Sequence, residues 1–281
     1  MPSPFVWLQH VLPQALVSRA VYGIARSEAS WIKNPLSRWF ARHYGVDLAE
    51  AEHSDPTAYP SFNAFFTRAL KPGAREIAPG ETTVVSPVDG RLTEFGYARS
   101  GTLLQAKGFT YALDELIGEG PTDSRVFANG AYATIYLAPY DYHRVHMPLA
   151  AKLTATRYVP GRRFSVNAAT TCGIRRLFCR NERVVCWFDT AYGPMVLVLV
   201  GALNVSSIST VSRGEIESGE PRYWREEPAL DLAKGDEVGR FNLGSTVVLL
   251  FPEGRVEWAA ELRSGEKLEL GRAIGRIREA P

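Results

Sequence analysis

The sequence predicts an α+β protein in which amphipathic helices at the N-terminus precede a larger body of mainly antiparallel strands. Apolar residues recur with a helical period near the N-terminus, whereas short β-branched runs bounded by glycine and proline dominate the rest. A chain of 281 residues, 46% hydrophobic and 22% charged, is long and apolar enough to form a folded core.

The first 45 residues differ from the rest of the chain in pattern and in charge. Apolar residues from Leu8 to Ile24 follow a helical period that Pro13 interrupts, and a second pattern runs from Trp31 to Phe40, so two helical pieces are expected. Basic residues far outnumber the single acidic residue here, although the whole chain has a net charge of only +2. Such a segment suits the surface of an anionic membrane, and a helical pair packed on its own domain is the alternative.

Composition also indicates where the protein is located and which classes of partner it has. The longest apolar run, residues 195–203, is shorter than the roughly 18 residues that a transmembrane helix needs. No Lys or Arg precedes Arg19, so no secretory signal is expected, and we expect a peripheral location on the cytoplasmic face of the cell membrane. The balanced charge argues against nucleic acid as a partner. The spacing of Cys172, Cys179 and Cys186 matches neither a disulfide framework nor a zinc site, so buried thiols are expected.

The predicted boundary between helices and strands lies near residue 75. Residues 61–69 have the pattern of a short helix with Ser61 as its N-cap. The turn-rich stretch 71–81 follows and indicates a connector. We therefore divide the chain into a helical membrane-association segment, residues 1–75, and a β-rich catalytic domain, residues 76–281.

Strand signals dominate this second part of the chain. A short helical pattern at residues 111–118 is the exception. Alternating or β-branched runs predict strands at residues 131–139, 152–160, 182–190, 194–208 and 245–251.

Three short motifs carry residues that can do chemistry. "SPVDG" places Asp89 in a turn, "YDYHRVHMP" holds His143 and His146 in an expected loop between prolines, and "FNLGSTVVLLF" puts Ser245 at the mouth of a strand. Each motif alone is more simply explained as a turn or a structural residue. Together, a carboxylate can orient an imidazole that takes the proton of a hydroxyl. The two histidines lack a third ligand at metal-binding spacing, so no metal is expected.

Ser245 directly follows Gly244, and this order favours an unusual reaction. The chain has no G-x-S-x-G elbow of a hydrolase, and the carbonyl nearest to the Ser245 hydroxyl belongs to Gly244. Aligned intramolecular attack offsets about 7–11 kcal/mol of barrier, whereas a positioned base adds only ~10²–10⁴-fold in rate. Self-cleavage between Gly244 and Ser245 is therefore expected. The alternatives are a Ser-His-Asp lipid esterase without self-cleavage and a non-catalytic membrane-bound β-domain.

With "SFNAFFTRAL", "LLQAKGFTY", "LFCRNERVV" and "VGALNVSSI", these motifs make the whole chain resemble the bacterial membrane-associated, pyruvoyl-dependent phosphatidylserine decarboxylases. The resemblance implies that Asp89, His146 and Ser245 form a self-cleavage triad. Attack by Ser245 on the Gly244 carbonyl gives an ester, and elimination then breaks the chain. The products are a large chain, 1–244, and a small chain, 245–281, that begins with a pyruvoyl group derived from Ser245.

The resemblance also implies a substrate and a reaction. The pyruvoyl ketone forms a Schiff base with phosphatidylserine of an anionic membrane, and loss of CO2 gives phosphatidylethanolamine. His143 is assigned to protonating the carbon that loses CO2, with loop orientation as the alternative. Tyr136 and Tyr142 are expected to line the pocket. Ser165 and Asn167 are expected to hold the substrate or, equally, to support a turn. The sequence does not decide whether the protein forms a homodimer.

Overall fold

The chain begins with helices and continues as a set of antiparallel sheets. The computed structural model describes residues 14–106, 108–202, 207–243 and 245–278. The helices are α1 (Gln14–Arg26), α2 (Ser30–Tyr44), α3 (Phe62–Phe66), α4 (Leu113–Ile117), α5 (Ala168–Thr171) and α6 (Leu177–Arg180), with a 3-10 helix at Ser124–Phe127.

The strands follow the first three helices along the chain. They are β1 (Thr83–Val85), β2 (Gly90–Tyr97), β3 (Thr102–Ala106), β4 (Phe109–Ala112), β5 (Ala131–Leu137), β6 (Arg144–His146), β7 (Ala151–Val159), β8 (Arg183–Thr190), β9 (Gly193–Gly201), β10 (Ser207–Thr210), β11 (Gly214–Ile216), β12 (Arg222–Leu232), β13 (Glu237–Asn242), β14 (Ser245–Leu250), β15 (Val256–Trp258), β16 (Lys267–Leu268) and β17 (Ala273–Ile277). The predicted α+β class with mainly antiparallel strands is confirmed.

The helical pieces expected from periodicity are present. Helices α1 and α2 are separated by a short break, while Pro13 and the preceding residues lie outside the described residues. Helix α2 ends at Gly45, whose positive φ of 62° is available to glycine at little cost. The N-cap expected at Ser61 is confirmed, because its side chain accepts a hydrogen bond of 3.1 Å from the backbone N–H of Ala64.

The N-terminal helices form a small aromatic core of their own. The Phe40 ring of α2 lies 5.1 Å from Phe62 and 5.8 Å from Phe66, centroid to centroid, and Phe65 is fully buried beside them. Leu243, from the far end of the chain, belongs to the same cluster. The helical segment therefore shares buried apolar surface with the stretch that leads into β14. The division at residue 75 stays a prediction.

The opposite faces of these helices carry exposed aromatic side chains. Trp31 is 80% exposed and Trp39 is 54% exposed. Within the part of the chain that the structure describes, no helix is both long and apolar enough to span a membrane.

Strand β14 occupies the middle of an eight-stranded antiparallel sheet. The strand order is β12-β7-β8-β9-β14-β5-β2-β16, so β14 is hydrogen-bonded to β9 on one side and to β5 on the other. Every residue of β14 is buried, which explains its β-branched composition. The expected strands are confirmed except for residues 194–208. That run divides between β9 in this sheet and β10 in a second sheet.

The second sheet changes the expected setting of the two histidines. Its order is β11-β10-β13-β6, and β6 pairs Arg144 with Arg240 and His146 with Glu237. The expectation of a loop throughout "YDYHRVHMP" is therefore wrong, because pairing with β13 extends the backbone of residues 144–146. His143 precedes the strand and His146 ends it.

The three cysteines are free, but only one is fully buried. Cys186 lies inside the sheet on β8, whereas Cys172 and Cys179 are half-buried, so the expectation of buried thiols is correct for Cys186 alone. Burial raises the pKa of Cys179 and Cys186 to about 12, which keeps both thiols protonated and unreactive near neutral pH.

Candidate active site

Ser245 is the first residue of β14 and is held from both sides. Its backbone lies opposite Leu137 of β5 and Gly201 of β9. The side chain is fully buried, and its Oγ has no hydrogen-bond partner among the described residues. Buried hydroxyls normally have a partner, so the Ser245 hydroxyl is available for another interaction. Gly244 lies outside the described residues.

Leu243 carries backbone strain two residues before Ser245. Its φ is +84°, a left-handed conformation that a leucine adopts at a cost of about 1–3 kcal/mol. The side chain is 6% exposed and packs in the aromatic cluster of the N-terminal helices. Burial of the side chain thus offsets the strain and fixes the direction in which the chain enters residue 244.

Hydrogen bonds of the Asn242 side chain connect the end of β13 to β10 and α3. Its Nδ2 donates to the hydroxyls of Ser207 at 2.8 Å and Ser209 at 3.1 Å. Its Oδ1 accepts a 3.0 Å hydrogen bond from Asn63 of α3. Sequence reasoning missed both asparagines, although each is a polar residue inside an apolar run, in "SFNAFF" and "RFNLGS".

His146 is a neutral imidazole whose tautomer is set by a backbone carbonyl. Its Nδ1 lies 2.8 Å from the carbonyl oxygen of Gly235, which can only accept, so Nδ1 carries the proton. Nε2 therefore holds a lone pair and accepts the hydroxyl of Tyr142 at 3.1 Å. Burial lowers the pKa of His146. The ring has the protonation state of a general base, with Tyr142 bound at the basic nitrogen.

Asp89 lies beside His146 but does not bond to it. The backbone N–H of His146 donates to the Pro87 carbonyl at 2.8 Å, which brings the "SPVDG" turn against β6. The Asp89 carboxylate instead binds Arg75, with Nε to Oδ1 at 3.0 Å and Nη2 to Oδ2 at 2.6 Å. Among the described residues, the Gly235 carbonyl orients His146 in the way that a carboxylate orients the histidine of a triad.

Asp89 also connects the two parts of the chain on either side of the expected cut. Its Oδ1 accepts a 2.7 Å hydrogen bond from the backbone N–H of Leu270. Arg75 in turn reaches Glu50 at 2.8 Å. Sequence reasoning missed Arg75, because the guanidinium meets Asp89 only after the connector has folded back onto the sheet.

His143 is fully buried and leaves one nitrogen without a partner. Its Nδ1 lies 2.9 Å from the Asp141 carbonyl oxygen, so the proton sits on Nδ1, and Nε2 carries a lone pair that accepts no hydrogen bond from any described residue. The ring centroid lies 4.0 Å from that of Phe66. Burial lowers the pKa of His143 to about 3, so the imidazole is neutral at pH 7. Its carbonyl accepts from Phe241 at 3.0 Å, close to the chain entering β14.

The remaining predicted residues fall into two groups. Tyr142 contacts His146 directly, and the half-buried Tyr136 lies on β5 opposite Thr246, one residue beyond Ser245. Asn167 caps α5, since its side-chain oxygen accepts from the N–H groups of Ala169 and Thr170 at 3.1 Å each. Ser165 is half-buried between β7 and α5. The structure thus gives Asn167 a turn-supporting contact.

Comparison with known proteins identifies the family. A family model described as phosphatidylserine decarboxylase matches residues 62–276, which is most of the chain and includes all the residues of this site. The chain belongs to the phosphatidylserine decarboxylase family. A second model, described as PSD, matches residues 4–45.

Similarity to curated phosphatidylserine decarboxylase proenzymes extends over almost the whole chain. The proenzyme of Pseudomonas fluorescens is 49% identical over 277 residues, covering 96% of each chain. That of Marinobacter nauticus is 48% identical and covers 97% of each chain. That of Nitrosococcus oceani is 48% identical over 96% of this chain and 90% of its own length.

The buried, neutral His143 predicts a specific loss of stability in acid. Its pKa is lowered from 6.5 to about 3, so between these pH values the unfolded chain binds a proton at His143 and the folded chain does not. The free energy of unfolding therefore has its full value above pH 6.5 and decreases as the pH falls towards 3. We expect a melting temperature that falls more steeply below pH 6.5 in the parent than in His143→Gln. Both chains carry Ser245→Ala so that cleavage cannot differ. Parallel curves would contradict the buried, neutral state.

Proposed function

We propose that the chain is a phosphatidylserine decarboxylase proenzyme that cuts itself between Gly244 and Ser245. The observation that carries the proposal is the setting of Ser245. It opens a strand bonded on both sides, its hydroxyl is free, and strained Leu243 lies just upstream. The names of the similar proteins, all proenzymes, support the same conclusion.

The cut uses only atoms of the chain and one water. Ser245 Oγ attacks the carbonyl carbon of Gly244 while its proton goes to a base, and the peptide C–N bond gives way to an ester. Loss of the Ser245 Cα proton then breaks the Cβ–Oγ bond and leaves Gly244 with a carboxylate. Water replaces the nitrogen of residue 245, ammonia departs, and the small chain begins with a pyruvoyl group.

His146 is the proposed base for the first of these steps. Its Nδ1 proton is fixed by Gly235, so Nε2 is the basic atom. Tyr142 occupies that atom and must yield its place to the Ser245 hydroxyl or relay the proton. Asp89 supports His146 from the neighbouring turn, through its charge and through the anchoring of Arg75 and Leu270.

The site fits a pyruvoyl group at residue 245. Conversion of Ser245 removes a buried hydroxyl that has no partner, and leaves a keto group in a position fixed by β5 and β9. This group supplies an electrophilic carbonyl that condenses with the lipid amine and accepts the electrons released as CO2 leaves.

His143 is the proposed proton carrier of the decarboxylation. Its Nε2 is unprotonated and unpartnered, so it can first take a proton from the ammonium group of phosphatidylserine. The same nitrogen then delivers that proton to the carbon that has lost CO2, and hydrolysis of the C=N bond by water releases phosphatidylethanolamine and restores the keto group. The Asp141 carbonyl keeps the other nitrogen protonated throughout and prevents the ring from rotating.

The helical segment is the proposed contact with the membrane. Helix α2 buries Phe40 against α3 and exposes Trp31 and Trp39. Some of its apolar residues therefore pack in the protein, and others remain available to contact a membrane. The excess of basic residues in residues 1–45 favours an anionic surface. We infer peripheral attachment on the cytoplasmic side, where an anionic lipid is both attachment surface and substrate.

Ser245→Ala is expected to yield one uncut, inactive chain, because alanine lacks the attacking oxygen. The unaltered protein separates into chains 1–244 and 245–281 on a denaturing gel, and the small chain resists Edman degradation because a pyruvoyl group has no amine. Thr246→Val is the matched control, since Thr246 also buries a hydroxyl without a partner but does not follow Gly244. Normal cutting of Ser245→Ala would refute the assignment, and an unaltered chain that stays whole yet hydrolyses lipid esters would indicate the esterase.

His143→Ala and His146→Ala are expected to fail at different steps. His146→Ala slows the cut by roughly 10²–10⁴-fold because the base is lost. His143→Ala is cut at a near-normal rate, but the resulting two-chain protein releases little CO2. Cleavage is followed on a gel and turnover with carboxyl-labelled phosphatidylserine. The opposite pattern would reverse the two roles, and normal behaviour of both variants would remove the histidines from the mechanism.

Replacing both Trp31 and Trp39 by alanine is expected to weaken binding to phosphatidylserine-containing vesicles by at least about tenfold, because their apolar burial is lost. Tyr223→Ala is the control, since Tyr223 is an aromatic residue of β12 that is 45% exposed. Vesicle co-sedimentation is measured on chains that also carry Ser245→Ala, so no lipid is consumed. Unchanged binding of the double variant would place the membrane contact elsewhere.

A further inference from the structure

Arg68 is a deeply buried arginine just after α3. It is 4% exposed, and its guanidinium carbon lies 5.8 Å from the centre of the Phe65 ring. Its Nη2 donates to the backbone carbonyls of Tyr140 at 3.1 Å and Asp141 at 3.5 Å. Its Nε and Nη1 have no hydrogen-bond partner among the described residues.

Arg183 is a buried arginine with a purely structural role and serves as a comparison for Arg68. It is also 4% exposed, yet all three of its nitrogens donate to backbone carbonyls. The acceptors are Leu116, Cys179, Asn181 and Glu115. Arg68 is equally enclosed but keeps two of its three nitrogens without an acceptor. Because leaving buried donors unpaired costs about 1–3 kcal/mol, more for charged groups, the empty positions of Arg68 need an explanation.

The position of Arg68 places it beside the proposed chemistry. The Asp141 carbonyl that accepts from Arg68 Nη2 also accepts from His143 Nδ1, so the guanidinium and the imidazole converge on one oxygen atom. His143 Nε2 and Ser245 Oγ are likewise without partners. The unpartnered guanidinium and imidazole nitrogens thus belong to two side chains that share one carbonyl, and Ser245 lies opposite Leu137, four residues before Asp141.

Neighbouring carboxylates do not satisfy the guanidinium. The side chain of Asp141 is turned to the N–H of Ala138, from which it accepts at 2.7 Å, and that of Asp89 binds Arg75 and Leu270. Both acidic residues attract Arg68 only at longer range. A planar guanidinium with free N–H groups is suited to carboxylate and phosphate oxygens, which accept charge-assisted hydrogen bonds.

We propose that Arg68 binds an oxyanion of the phospholipid headgroup, the serine carboxylate or the phosphodiester, when the substrate occupies the site of the cleaved enzyme. The proposal rests on the proposed decarboxylase function. Arg68 and His143 are both buried and share the Asp141 carbonyl, so an oxyanion bound at Arg68 would lie beside His143. Arg68 is thereby a substrate-binding residue, and the aromatic cluster under α3 holds it in place.

Steady-state kinetics on a soluble short-chain phosphatidylserine tests the proposal. Arg68→Gln is expected to raise KM by at least about tenfold, and Arg68→Lys, which keeps the charge, to raise it less. Arg183→Gln is the matched control, because it removes an equally buried guanidinium away from His143 and is expected to lower the melting temperature without changing KM. Unchanged KM in cut, folded Arg68→Gln would overturn the proposal.

Inhibition by two headgroup fragments distinguishes the sources of the oxyanion. Glycerophosphoethanolamine offers the phosphodiester without a carboxylate, and L-serine offers the carboxylate without a phosphate. The fragment that carries the bound oxyanion is expected to inhibit Arg68→Gln at least about tenfold more weakly than the unaltered enzyme. Equal inhibition of both proteins by both fragments would overturn the proposal.

A structure of the cut His143→Ala enzyme, in which the bound lipid is expected to keep its carboxylate, gives an answer even if the Arg68 variants stay uncut. Borohydride treatment in the presence of the short-chain lipid links the headgroup covalently to the small chain. We expect an oxyanion of the trapped headgroup within about 3.2 Å of Arg68 Nε or Nη1. A trapped headgroup with no oxygen near either nitrogen would refute the role of Arg68. Failure of the decarboxylase function itself is recognised separately, because the unaltered chain would then remain whole and release no CO2.

Discussion

The two-sided hydrogen bonding of β14 is the constraint on which the candidate site depends. A strand in the middle of a sheet cannot shift by one residue without turning its side chains to the wrong face, and all six residues of β14 are buried. Ser245 at its first position therefore has little freedom. The segment before it must enter from a different sheet, because β13 pairs with β10 and β6. The change of direction falls on Leu243, which explains its left-handed backbone.

The same pairing would hold the two fragments together after the proposed cut before Ser245. The segment from 245 onward forms β14 in the large sheet, β16 against β2 and β17 against β1. Asp89 adds a hydrogen bond to the backbone of Leu270, and Ser86 accepts another from Gly271. Each of these contacts joins residues on opposite sides of the Gly244–Ser245 bond, and none of them depends on that bond. A break there removes one covalent link and leaves the buried surfaces that hold the fragments together.

Periodicity and composition predicted the N-terminal helices and the five central strands of the large sheet, β7, β8, β9, β14 and β5, because these elements show a local pattern. The residues at the centre of the fully buried β14 are β-branched. The N-cap at Ser61 can be predicted from the few residues around it. Strand β6 was missed because an alternation of only three residues is too short to indicate a strand, and these residues become one only when β13 lies beside them. The partners of Asp89 and Arg68 were missed for the same reason, since residues distant in sequence supply the acceptors and donors.

The chemistry of the histidines follows from tertiary contacts that sequence could not show. His143 and His146 have the same tautomer because a backbone carbonyl fixes each Nδ1, yet only Nε2 of His143 is empty. Phe66 of α3 packs on His143, while Leu243 joins the same aromatic cluster. Helix α2, which exposes the two tryptophans, thus shares one small core with Leu243, and Phe66 of that core packs on His143. A displacement of that core would alter the geometry of both proposed reactions, so the helical segment contributes to the candidate site as well as to the proposed membrane contact.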